Sequence, residues 1–149
     1  VMSQAEMKNE GYDLDEQIGY ILRLVTQRHT AIFQEHAQRL LPGGLTPTQF
    51  SALLRIHSVG TCSQNRLGRM AAMDVATIKG VVDRLKRKGL VDLAPDPDDR
   101  RRTKITLSES GEALIPQLKE AGAVITAETV KELSADEVLQ MKALLKKLL

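Results

Sequence analysis

Apolar side chains return every three or four residues along most of this chain, the spacing that lines one face of an α-helix. The first run is Leu14, Ile18, Ile21, Leu22, Val25, Ile32, Phe33 and Leu40, which predicts one long amphipathic helix from about Leu14 to Leu41. Pro42-Gly43-Gly44 ends it. Thr46-Pro47-Thr48-Gln49 restarts a helix: Thr46 caps the free N–H groups, Pro47 suits the first helical position, and Gln49 completes a capping box. Its inward positions are Phe50, Leu53, Leu54 and either Ile56 or His57, as far as Gly60. Ser63 opens a short third helix with Leu67, Met70 and Ala71, and Asp74 caps a fourth whose buried stripe is Ile78, Val81, Val82 and Leu85. Gly89 is its left-handed stop. Ser108 opens a long fifth helix with Leu114, Leu118, Ala121 and Ile125 on one side, where Pro116 is expected to introduce a kink. Ser134-Ala135-Asp136-Glu137 is a second capping box, followed by a last apolar face of Val138, Met141, Leu144, Leu145 and Leu148. Residues 1 to 11 lack sustained periodicity and read as a frayed start.

Between the fourth and fifth helices the period drops to two. Leu90-Val91-Asp92-Leu93 and the alternating Thr103 to Leu107 read as paired strands, joined by Pro95, Pro97, clustered aspartates and Arg100-Arg101-Arg102. The pair is a β-hairpin with a basic tip. The predicted fold is therefore mainly α with a small β-hairpin wing: a winged helix-turn-helix over residues 45–107, flanked by long helices at 12–41 and 108–149, within one unit spanning 1–149. The flanking helices are strongly apolar on one face. They either pack on the centre or interlock with a second copy, and a homodimer matches a two-fold operator.

Charge sharpens this picture. Residues 63–104 hold eleven bases and six acids, net +5, whereas the rest of the chain holds ten and thirteen, net −3. A basic middle between mildly acidic ends suits contact with phosphate, although a basic run is also an ordinary solvated face. Aromatic content of 3% argues against stacking platforms for single strands. The lone Cys62 excludes an internal disulfide framework. No membrane-spanning run or secretory leader is visible, so a cytoplasmic location is expected.

In such a fold the fourth helix enters the major groove of double-stranded DNA. With Ile78, Val81 and Val82 inward, the opposite face presents Ala76, Thr77, Lys79, Gly80, Asp83 and Arg84. Thr77 can hydrogen-bond a base or offer its methyl to thymine, and Lys79 and Arg84 can reach guanine acceptors or phosphates. Ala76 and Gly80 let the backbone approach the groove floor. Ser63, Gln64, Asn65 and Arg66 open the third helix, where phosphate contact and plain capping are nearly balanced. Arg100 and Arg102 suit flanking phosphates. Against an enzyme, there is no phosphate loop, metal cluster or nucleophile with a legible base. The competing reading is a winged-helix module that docks proteins, which should expose apolar anchors on its wing.

Leu45-Thr46-Pro47-Thr48-Gln49-Phe50, the stretch Leu67 to Val91, Asp98-Asp99-Arg100-Arg101 and Leu107-Ser108-Glu109-Ser110-Gly111 together resemble the multiple antibiotic resistance (MarR) family of transcriptional regulators. The resemblance runs from Leu14 to Leu149, with Leu-Ser standing where the family usually has Leu-Thr. It implies a ligand-responsive repressor acting as a homodimer on a pseudo-palindromic operator. It also implies that Arg101 is the wing-tip arginine entering the minor groove and Asp99 the acid that pairs with it. A carboxylate two residues earlier across a tight turn can fix a guanidinium's direction, and a narrow minor groove attracts arginine.

The resemblance further implies a small aromatic or phenolic acid held between the flanking helices and the reading unit. Polar residues on or near the apolar stripes, Tyr20, His36, Arg55 and His57, are the candidate anion pocket, with His29 on the same stripe as His36. No cofactor or metal is expected: His29 and His36 stand seven apart and Cys62 lacks a partner. Oxidant-sensing members carry a cysteine near the start of the first helix, which this chain lacks. Cys62 reads as a small buried residue instead.

Overall fold

A computed structural model describes residues 11–41 and 43–149, so the expectations placed on residues 1–10 and on Pro42 lie outside the described residues. Helix α1 spans Ile18–Leu40. It does not begin at Leu14, because Leu14–Glu16 is a separate 3₁₀ turn. Asp13 Oδ1 accepts from Asp15 N at 3.0 Å and the Asp13 carbonyl accepts from Gln17 Nε2 at 2.8 Å. Gln17 stays extended, which separates the two pieces. Helix α2 is Pro47–Val59, with the expected Thr46/Gln49 capping box formed. Helix α3 is Gln64–Met70 and α4 is Val75–Arg87, capped by Ser63 and Asp74.

Strands β2 (Val91–Pro95) and β3 (Thr103–Leu107) form the wing. A further strand, β1 (Thr61–Ser63), makes the sheet three-stranded in the order β1-β3-β2. Three residues are too few to show alternation, so β1 carries no periodicity from which it could be read. It pairs antiparallel with β3, setting Cys62 opposite Ile105 and Ser63 opposite Lys104. Pro95 closes β2 on an edge, where its missing N–H costs no ladder bond.

Helix α5 (Glu109–Thr129) begins at Ser108 and continues past the exposed Pro116, and α6 (Ala135–Lys146) follows the Ser134/Glu137 capping box. The core gathers Leu53 and Ile56 of α2, Leu67 of α3, Ile78, Val82 and Leu85 of α4, Ile105 of β3 and Leu118 of α5. One close approach needs a glycine: a Cβ at Gly111 would collide with the Leu90 carbonyl. That carbonyl accepts from Ser108 N at 3.0 Å, and Ser108 Oγ donates to the Gly89 carbonyl at 2.6 Å. The start of α5 is thereby docked on the turn that ends α4.

Among the described residues, the outer apolar faces of α1 and α6 remain uncovered. Helix α6 buries no residue within the protomer, and Leu144 and Leu148 are 62% and 68% exposed. They share a concave apolar surface of about 570 Å³ with Ile18, Ile21 and Leu22 of α1. No helix among the described residues is long and apolar enough to cross a membrane.

Candidate nucleic-acid interface

Helix α4 forms because Asp74 Oδ1 accepts from Thr77 N at 2.7 Å and because its apolar residues fall on one stripe. That bond, with a side-chain bond to Thr77, holds the Asp74 carboxyl below its usual range. Ile78, Val81, Val82 and Leu85 are buried, which turns Ala76, Thr77, Lys79, Asp83 and Arg84 outward and leaves Gly80 half-buried. Space above Gly80 is limited by the Arg84 guanidinium, 3.3 Å from where a Cβ would sit.

The wing tip is built by its own aspartates. Arg102 N donates to the Asp99 carbonyl and Asp96 N to the Arg102 carbonyl, each at 2.9 Å, closing the loop. Asp99 Oδ1 accepts from Arg101 N at 3.1 Å and from Arg101 Nε at 3.2 Å, while Oδ2 lies 3.7 Å from Arg102 Nε. The first of these is an Asx turn and the second sets the guanidinium's direction. These bonds hold the Asp99 carboxyl below its usual range, the backbone bond contributing most. Arg101 is left 91% exposed. The structure thus pairs Asp99 with Arg101, and Arg100 is also exposed at the tip. The wing exposes no large hydrophobic side chain among the described residues.

Strand β1 brings α3 beside the wing. Because Ser63 pairs opposite Lys104, the start of α3 faces Arg101, Arg102 and Thr103 across a cleft of about 350 Å³. Gln64, Asn65 and Arg69 line the same cleft. Arg66 is exposed and its N–H is capped by Ser63. Arg69 is a member of the basic patch that sequence spacing gave no reason to single out; only the β1–β3 register joins it to the wing.

Not every base in the patch is available to DNA. Lys88 Nζ donates to the Gly44 carbonyl at 2.8 Å, to Gln49 Oε1 at 3.1 Å and to the Gly43 carbonyl at 3.4 Å. Gln49 is buried, so Lys88 ties the end of α4 to the start of α2. Lys104 lies 3.8 Å from Asp96.

Tyr20, His36, Arg55 and His57 are not assembled into one pocket. Tyr20 and His36 sit sixteen residues apart on α1, roughly 24 Å along the axis. His36 Nδ1 lies 3.3 Å from Arg39, Arg55 is exposed on α2, and His57 Nδ1 lies 3.1 Å from Glu112 Oε2 of α5. A cavity of about 350 Å³ opens instead between α1, α2 and α5, lined by His29, Phe33, Phe50, Leu54, Lys119 and Ile125 among others. Phe33 and Phe50 meet edge to face at 5.4 Å. Thr129 Oγ1 donates to the Ile125 carbonyl and lies 2.9 Å from His29 Nδ1. The hydroxyl has one proton, so Nδ1–H is the donor to Thr129, leaving Nε2 as an acceptor. The helical stripe pointed to His29, but Lys119 gave no signal because its neighbours come from distant helices.

Cys62 is buried on β1, and burial raises its thiol pKa against the opposing effect of Arg66. It is held as a thiol, not a thiolate. No cluster of metal-ligating side chains occurs among the described residues.

A helix-turn-helix whose outward helix and arginine-tipped wing stand together belongs to the class of winged-helix readers of duplex DNA. A model of the MarR family matches residues 43–102. The HTH-type transcriptional repressor NicR of Pseudomonas putida is 41% identical over 147 residues, covering 99% of this chain and 91% of NicR. Among solved structures, BpsR of Bordetella bronchiseptica, whose DNA binding is regulated by 6-hydroxynicotinic acid, matches at 36% identity with a TM-score of 0.85, covering 92% of this chain and 96% of BpsR. A variant of MarR from Escherichia coli complexed with operator DNA matches at 29% identity with a TM-score of 0.80, covering 89% of this chain and 93% of that one. The chain belongs to the MarR family and is a DNA-binding transcriptional regulator.

Proposed function

We propose that the chain is a cytoplasmic, homodimeric repressor whose α4 reads the major groove while Arg101 enters the adjacent minor groove of each half-site. The observation that carries this reading is Arg101, held outward at 91% exposure by Asp99 on a wing that packs against α4 and whose Arg100 and Arg102 share a cleft with Lys86 of that helix. In this reading Thr77, Lys79, Ala76 and Gly80 meet base edges. Arg84, Arg100, Arg102, Asn65 and Arg66 meet phosphates, and Arg69 joins them through the α3–wing cleft. Residues 45–107 serve as the DNA-binding unit, and the uncovered apolar faces of 12–41 and 108–149 as the dimer interface. The test is selection from a randomised duplex pool. Enrichment of a two-fold site with half-sites one helical turn apart is expected; an unenriched pool overturns the reading.

The cavity between α1, α2 and α5 supports a second element of this function. Its aromatic walls suit a planar ring, Lys119 offers charge and hydrogen bonding for a carboxylate, and His29 Nε2 can accept from a ring hydroxyl. We assign it to a small aromatic acid, with 6-hydroxynicotinic acid, the regulator of BpsR, as the probe. A rise in melting temperature with that acid, lost in Lys119→Met, is expected. A rise that survives Lys119→Met contradicts a role for Lys119 in holding the acid.

A further inference from the structure

Between Leu45 and Leu107, among the described residues, Val75 is the only large apolar side chain left exposed, at 68%. Every other valine of α4 is buried. Val75 occupies the first position of α4, directly after the Asp74 cap, with the exposed Ala76 and Thr77 beside it. A β-branched residue gives little to a helix, and an exposed isopropyl group gives nothing to this core. Lys79 stands one turn along the same exposed stripe.

The first turn of a reading helix is the part that meets base edges, and the only apolar group projecting into the major groove is the C5-methyl of thymine. We propose that Val75 is a specificity-determining residue that packs against a thymine methyl. Residues four apart on a helix lie about 5–6 Å from one another, so this thymine lies within about two base pairs of the position reached by Lys79. A homodimer presents the contact once in each half-site. The proposal rests on the reading of α4 as a major-groove helix and adds to it the chemical group recognised.

The test replaces thymine by uracil, which removes the methyl and leaves the pairing edge intact. A site selected from a randomised pool is resynthesised with single symmetric thymine-to-uracil changes, and wild type is titrated against Val75→Ser, Val75→Thr and Thr77→Ser. One uracil position should weaken wild-type binding roughly three- to tenfold, the scale of a lost methyl contact. That penalty should vanish in Val75→Ser, persist in part in Val75→Thr, and be unchanged in Thr77→Ser. A penalty retained in Val75→Ser, one that disappears in Thr77→Ser, or no uracil penalty anywhere overturns the assignment while the DNA-reading function stands. Failure to select any site overturns both.

Discussion

The Asp99–Arg101 pair shows how one side chain prepares another. Asp99 uses the same carboxylate oxygen to fold the wing loop and to orient a guanidinium that makes no other hydrogen bond or ion pair among the described residues. Arg101→Ala should abolish tight operator binding while the far-ultraviolet spectrum and melting curve stay unchanged; unaltered affinity in a gel-shift titration would remove Arg101 from the interface. Because the folded-state Asp99 pKa is depressed, its contribution to stability is present above the unfolded pKa and is lost as pH falls through the lower folded value. The stability difference between wild type and Asp99→Ala should therefore be full at neutral pH and shrink on acidification below the usual carboxylate range. A difference that widened in acid would contradict the pairing. This pair was legible from the motif alone, since both residues lie in one turn. The role of Lys88 was not: nothing in the run Lys86-Arg87-Lys88 marks the third base as bonded to Gln49 and the α1–α2 loop.

At the scale of elements, caps and close approaches fix how the reading unit is mounted. Asp74→Ala removes the N-cap of α4 and should lower the midpoint of chemical denaturation, with an unchanged midpoint arguing against the cap. Gly111→Ala places a methyl against the Leu90 carbonyl and should destabilise by roughly 1–3 kcal/mol. If it melts like wild type, α5 does not dock on the α4–β2 turn as described. The helices were legible because their buried stripes repeat over three or more turns and most begin at a capping residue. Strand β1 was not, because its partner β3 lies more than forty residues away and supplies the only reason for it to be extended. The α3–wing cleft was hidden for the same reason. The break before α1 escaped because Leu14 keeps the helical spacing while Asp13 and Gln17 interrupt the helix by their own hydrogen bonds.

For the whole molecule, the faces of α1 and α6 are left unburied by one protomer. Leu144 and Leu148 with Ile18 form an apolar surface that a second copy can cover. Leu144→Glu with Leu148→Glu should shift the protein from dimer to monomer in sedimentation equilibrium and reduce operator affinity at least tenfold, since each half-site then binds alone. The division of charge along the chain was visible from the start, and it sorts the basic reading unit from the acidic ends. The effector cavity was not visible, because its walls come from three helices and join residues as far apart as His29 and Thr126. The most direct test of the central claim is a titration of the wild-type protein against its selected two-fold duplex and a scrambled duplex of equal composition, at two salt concentrations. The account predicts binding to the selected site at least 10³-fold tighter, with that preference kept at the higher salt. Equal affinity for the two duplexes, weakening together as salt rises, would mean that the basic face only attracts phosphate, and would contradict sequence reading by α4 and the wing.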